Sequence, residues 1–125
     1  MGDHPNAAKY RELMQKLDLG QMEDFVDMLD DDIEWWEIGR AEPIKGKAAL
    51  MARMQEQMGK WDITGELHDV VANDEHLVAL VNAEGKRDGR TLKYKTAEIL
   101  HIRNGKVAQR WAFSDDTAAI TEFFS

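Results

Sequence analysis

A chain of 125 residues, 43% hydrophobic and containing Trp, Phe and Tyr, is long enough to bury roughly two-thirds of its unfolded surface and too apolar to stay disordered. Its formal charge of −8 opposes binding to nucleic-acid phosphates and anionic membranes, and no Lys/Arg run overturns that balance. The absence of cysteine excludes disulfides, thiol nucleophiles and thiolate metal sites.

The amino-terminal stretch MGDHPNAAKY lacks the basic start and apolar run of a signal peptide. Gly2 follows Met1, but Asn6 stands where myristoylation calls for Ser or Thr. No apolar run is long enough to span a bilayer, so a single cytoplasmic domain over residues 1–125 is expected, with no nucleic-acid or membrane partner. Asp3 can cap a first helix with Pro5 in its first turn, and Tyr10, Leu13, Met14 and Leu17 form the apolar stripe. Asp18-Leu19-Gly20 interrupts the pattern, and Met22, Phe25, Val26 and Leu29 make a second, short helix that ends at Asp30-Asp31-Asp32.

Ile33 to Ile38 alternate as a strand, with Ile33, Trp35 and Glu37 on one face and Glu34, Trp36 and Ile38 on the other. If the Ile33/Trp35 face is the inner one, Glu37 lies beside an indole at the wall of the core. A carboxylate there loses hydration and becomes a candidate for proton exchange, although a strand-end glutamate turned into water is the plainer alternative. Gly39 to Pro43 breaks the strand. A third helix then runs from Lys47 to about Met58 with Leu50, Met51, Met54 and Met58 at helical spacing, core residues that are also able to roof a pocket.

From Trp61 the pattern is strands: Ile63 to Ala72 with Gly65 as a possible bulge, His76 to Ala83, Thr91 to Arg103 and Lys106 to Ser114. Asn73-Asp74-Glu75 is a turn, Glu84 to Arg90 a connection containing Gly85 and Gly89, and Asn104-Gly105 a two-residue hairpin signal. Asp115 or Asp116 caps a short last helix ending in Ile120, Phe123 and Phe124. Helices gathered on one side of a curved antiparallel sheet make an α+β fold. The four histidines (His4, His68, His76, His101) are scattered, so no metal or cofactor is called for.

Several passages in this order resemble the nuclear transport factor 2-like superfamily, and within it the SnoaL-like and ketosteroid-isomerase-like proteins. They are Asp18-Leu19-Gly20-Gln21-Met22, the run Asp30 to Glu37, Glu42-Pro43 with Gly46, and Arg103-Asn104-Gly105-Lys106-Val107 leading to Trp111. The resemblance implies a cone-shaped curved antiparallel sheet closed by the amino-terminal helices around an apolar pocket, with homodimers formed through the outer sheet face. An ungapped match to the ketosteroid isomerases puts Glu37 at their proton-shuttling aspartate and places their second, oxyanion-binding aspartate near Glu98. Two carboxyls in one apolar cavity can divide donor and base roles. Their tyrosine lands on Leu13, with Tyr10 about a turn earlier, which puts steroid isomerisation itself in doubt. The Arg-x-Asp pair of limonene-epoxide hydrolases has no counterpart in Val78-Ala79-Leu80-Val81-Asn82. In SnoaL-like cyclases an acid near the end of the last strand is catalytic, which makes Asp115 a third candidate beside its capping role.

On the alternation of the third long strand, Glu98 shares a face with Tyr94, Thr96, Leu100 and Ile102, whereas His101 points to the other side. The expected pocket is therefore lined by Leu13, Trp35, Met54, Tyr94, Leu100, Trp111 and Phe113 around Glu37 and Glu98. The expected ligand is a small apolar organic molecule. Two functions suit it: a cofactor-free acid/base isomerase or cyclase acting on a carbonyl or polyketide-like compound, and a non-catalytic ligand-binding or dimerisation module of the same shape.

Overall fold

The computed structural model describes residues 3–125; Met1 and Gly2, where the myristoylation reading falls, lie outside the described residues. In chain order the elements are α1 (Pro5–Asp18), α2 (Glu23–Met28), β1 (Leu29–Trp35), β2 (Ile44–Lys45), α3 (Lys47–Gln57), β3 (Asp62–Ala72), β4 (His76–Arg87), β5 (Arg90–Arg103), β6 (Lys106–Ser114) and α4 (Thr117–Phe124). The strands form one curved, unclosed sheet in the order β2-β1-β6-β5-β4-β3. Its neighbours pair antiparallel except β1 and β6, which run parallel.

Proline at the first position of α1 moves the cap to the residue before it, so His4 takes the place expected for Asp3. The His4 Nδ1 accepts the Asn6 N–H at 3.1 Å, and Asp3 instead accepts from Arg11 Nε at 2.6 Å. Ala7, Tyr10 and Leu13 turn one stripe of α1 inward. The second helix ends a residue earlier than its apolar pattern implied, because Leu29 opens β1. Three consecutive aspartates are poor strand residues. They are tolerated because the β1·β6 register is irregular between Leu29 and Glu34, where Asp30 accepts the Asp32 amide at 2.9 Å and Asp31 and Asp32 stay exposed. Gly46, at φ 92°, has the left-handed backbone that glycine tolerates, and its N–H bonds to the Ile33 carbonyl at 2.8 Å to launch α3. Met58, expected on the α3 stripe, lies past its end and is 76% exposed.

The bulge in β3 falls at His68 and not at Gly65. Leu67 pairs with Val81 and Asp69 with Leu80, which leaves His68 as the extra residue. Next to it, the Val70 amide and then Arg11 hold the Asp69 carboxyl below its usual range, and the Arg11 contact at 3.0 Å ties α1 to β3. Residues 84–90, read as a connection, are mostly strand. Asp88 and Gly89, at φ 52° and 76°, make a two-residue hairpin like that of Asn104 and Gly105 at 53° and 75°. Gly85 is strand interior, kept small because a Cβ there would sit 2.7 Å from the Phe124 ring of α4.

Ile33, Leu50 and Leu77 are fully buried at the centre, with Tyr10, Leu13, Leu100, Ile102 and Val107 packed around them. Cross-strand register assigns the faces: Leu77–Leu100–Arg110 and Ala79–Glu98–Ala112 lie inside, whereas Val78–Ile99–Trp111 and Leu80–Ala97–Phe113 lie outside.

Candidate functional site

Between the inner sheet face and the helices lies a cavity of about 280 Å³. Tyr10, Leu13, Met14 and Leu17 of α1 form one wall, Met22, Phe25 and Met28 of the α2 region another, and Met54 of α3 a third. The floor is Leu29 and Trp35 of β1, Glu98 and Leu100 of β5, and Val107 and Arg110 of β6. Met22 is 42% exposed, which places the mouth at the start of α2.

Glu98, Arg110 and Tyr10 make its polar end. The Tyr10 hydroxyl donates to Glu98 Oε2 at 3.1 Å, while Arg110 donates to Oε1 from Nε at 3.2 Å and from Nη2 at 2.5 Å. Arg110 is fixed from behind by donating Nη1 to the Trp36 carbonyl at 2.8 Å, and its guanidinium lies over the Trp35 ring at 4.2 Å. The ion pair is largely withdrawn from water, with the Arg110 and Glu98 side chains 12% and 20% exposed. Burial, reinforced by the Glu98 charge and hydrogen bond, pushes the Tyr10 phenol well above its ordinary pKa, so it stays protonated as a donor. Tyr94 is raised too, first by burial and then by the Glu98 charge.

Of the residues anticipated from sequence, Leu13, Trp35, Met54, Glu98 and Leu100 line this cavity. Tyr94 is on the inner face but farther along β5, packed edge-on against Phe124 at 6.2 Å. Glu37 stands apart. Because β1 ends at Trp35 and the Glu37 carbonyl accepts from Arg40 in a turn, strand alternation no longer governs its direction. Its carboxylate accepts from Gln57 at 3.1 Å and Arg53 at 3.4 Å, outside the cavity lining. Asp115 is exposed and accepts the Lys95 amide at 3.0 Å, and it is Asp116 that caps α4 by accepting the Ala119 N–H.

Trp111 and Phe113 face outward, Trp111 stacked on Trp36 at 4.8 Å and Phe113 57% exposed. A bulge at Ala108 is the cause. Val107 pairs with Ile102 but Gln109 with His101, so every later residue of β6 changes face. The same step turns Arg110 inward, and simple alternation from Val107 gave no sign of it. Among the described residues no three His, Asp or Glu side chains gather as a metal site would require, and no helix is long and apolar enough to cross a membrane.

The architecture is an α+β fold, a curved antiparallel-dominated sheet with helices packed on one face around this cavity. A family model for the SnoaL-like domain matches residues 10–110, and the chain belongs to that family. No curated protein sequence matches it. A nuclear transport factor 2-like protein of unknown function from Burkholderia pseudomallei superposes with TM-score 0.79 at 16% identity, over 96% of this chain and 97% of its own. A proposed polyketide cyclase from Xanthomonas campestris gives 0.75 at 14%, over 94% and 93%. A proposed ketosteroid isomerase from Kribbella flavida gives 0.67 at 20%, over 88% and 77%. At such identities the likeness is one of fold.

Proposed function

We propose that the cavity binds a small, mainly apolar carbonyl compound and that Glu98 exchanges a proton with it, as in a cofactor-free isomerase or cyclase. The observation that carries this is the state of the Glu98 carboxylate in a lining that is apolar apart from Arg110 and the Tyr10 hydroxyl. Oε1 already accepts twice from Arg110, but Oε2 accepts only from Tyr10 and keeps one acceptor direction for a substrate proton. Tyr10, neutral and adjacent, keeps its own proton and holds Oε2 in place as a hydrogen-bond donor while Glu98 takes up the substrate proton and returns it. Fold neighbours proposed to be a ketosteroid isomerase and a polyketide cyclase support the reaction class by analogy alone. Incubated with benzylacetone in heavy water, the wild-type protein is expected to accelerate deuterium uptake beside the carbonyl. Glu98→Gln should bind the ketone without that acceleration, and undiminished exchange in the variant would refute the role of Glu98.

The second reading, a binding module without chemistry, is favoured by Glu37 being held by Arg53 and Gln57 rather than facing Glu98 across the cavity. It predicts ketone binding with no exchange in either protein. We also propose a homodimer through the outer sheet face, where Val71, Leu80 and Phe113 are 61%, 41% and 57% exposed around the Trp36–Trp111 stack. Sedimentation should give a dimer that Phe113→Glu converts to monomer, and a monomeric wild type at high concentration would exclude it.

A further inference from the structure

The polar end of the cavity is electrically closed. Among the residues that line it, Glu98 and Arg110 alone carry charge, and each is already the other's counter-ion. Burial keeps the Tyr10 phenol neutral beside them. The Arg110 guanidinium has two hydrogen bonds to Glu98, one to the Trp36 carbonyl, and Trp35 beneath its face, so its positive charge is already committed to Glu98. Glu98, likewise, offers a cation only a charge that is already neutralised. An ionic ligand would therefore be stripped of water among Leu13, Phe25, Met54 and Leu100 with no free opposite charge to receive it. An uncharged oxygen function meets no such penalty, because the open direction on Glu98 Oε2 accepts a weakly acidic proton and the two remaining guanidinium N–H groups of Arg110 can donate to a carbonyl or hydroxyl oxygen. The volume, about 280 Å³, equals roughly nine liquid waters at ~30 Å³ each, the size of one ring with a short side chain.

From this we infer that the site selects against charge: its ligands are uncharged compounds of phenylpropyl size with a ketone or alcohol oxygen, and the carboxylate or ammonium of the same skeleton is excluded. The inference rests on the cavity being the ligand site, and it holds whether or not catalysis follows binding. It also makes Arg110 a specificity-determining residue that works by cancelling Glu98.

Isothermal titration of the wild-type protein near neutral pH with benzylacetone, hydrocinnamate and phenylpropylammonium reads it directly. The ketone should bind at least about tenfold more tightly than either ion, the factor a stranded charge readily costs. Hydrocinnamate or phenylpropylammonium binding as tightly as the ketone would overturn the inference while leaving the cavity as the ligand site. Binding of none of the three would overturn both. Glu98→Gln removes the internal counter-ion and should reverse the order in favour of hydrocinnamate; Arg110→Gln should reverse it in favour of the ammonium. An unchanged order in a folded variant counts against the inference. Should either variant fail to fold, the wild-type series still decides.

Discussion

Removing one member of the Glu98–Arg110 pair should cost far more than removing both. Arg110→Leu leaves a carboxylate in an apolar cavity with only the Tyr10 hydroxyl, and it also strips the Trp36 carbonyl of its side-chain donor. Breaking a buried pair from one side costs ~3–5 kcal/mol, and because Glu98 is 20% exposed the lower end, about 3 kcal/mol, is expected here. Glu98→Leu should cost about 2 kcal/mol, since Arg110 keeps its bond to Trp36 and its seat on Trp35. The double variant Glu98→Leu/Arg110→Leu replaces the pair by packing and should lie within about 1 kcal/mol of the wild type. For a chain of 125 residues, an unfolding entropy near 2.1 cal/mol/K per residue translates 1 kcal/mol into about 4 °C of Tm, so Arg110→Leu should melt ~12 °C lower. Urea unfolding followed by Trp fluorescence, with unchanged m-values, completes the double-mutant cycle. Costs that simply add, leaving the double variant the least stable of the three, would refute the claim that the two groups act as one largely desolvated unit.

Gly85→Ala should destabilise by about 1–2 kcal/mol through the 2.7 Å approach to Phe124, and the penalty should largely vanish in a Phe124→Ala background measured in the same way. Leu77→Ala, at a fully buried site on the inner face of β4, should cost ~3 kcal/mol by chemical denaturation. Both tyrosines are raised above the ordinary value near 10, so ultraviolet titration of the native protein should show no phenolate step there. The sign follows from linkage. The unfolded chain gives up these protons more readily, so their contribution to stability is whole below about pH 10 and fades as pH climbs towards the folded values. Tyr10 should ionise last, well above that range, and both phenols titrating near pH 10 in the native protein would contradict the burial of Tyr10.

How far the sequence could be read depended on whether local pattern and backbone geometry agreed. Asn104-Gly105 was legible as a hairpin because alternating strands flank it. The equivalent Asp88-Gly89 was hidden, since Gly85 looked like punctuation when its real constraint is a ring from the far end of the chain. Glu98 was placed on the inner face by simple alternation, which holds along β5 through that point. Alternation failed on β6, where the unpaired Ala108 inverts everything after it and exchanges Trp111 for Arg110 at the cavity. It failed again at Glu37, two residues beyond the last paired strand position of β1. Register shifts and strand ends are set by pairing with distant segments, so the residues they orient carry no local signature.

The parallel join of β1 to β6 has a consequence for how the protein comes into being. Strand β1 ends at Trp35, yet its long neighbour β6 begins only at Lys106, after β2, α3, β3, β4 and β5 have all been made. Tyr10 and Glu98, 88 positions apart, cannot meet until β5 has been made. The greasy lining contributed by the early helices must therefore wait, unroofed, for the carboxy-terminal strands. A nascent chain halted before Lys106 would present that surface to chaperones, and addition of β6 and α4 would withdraw it.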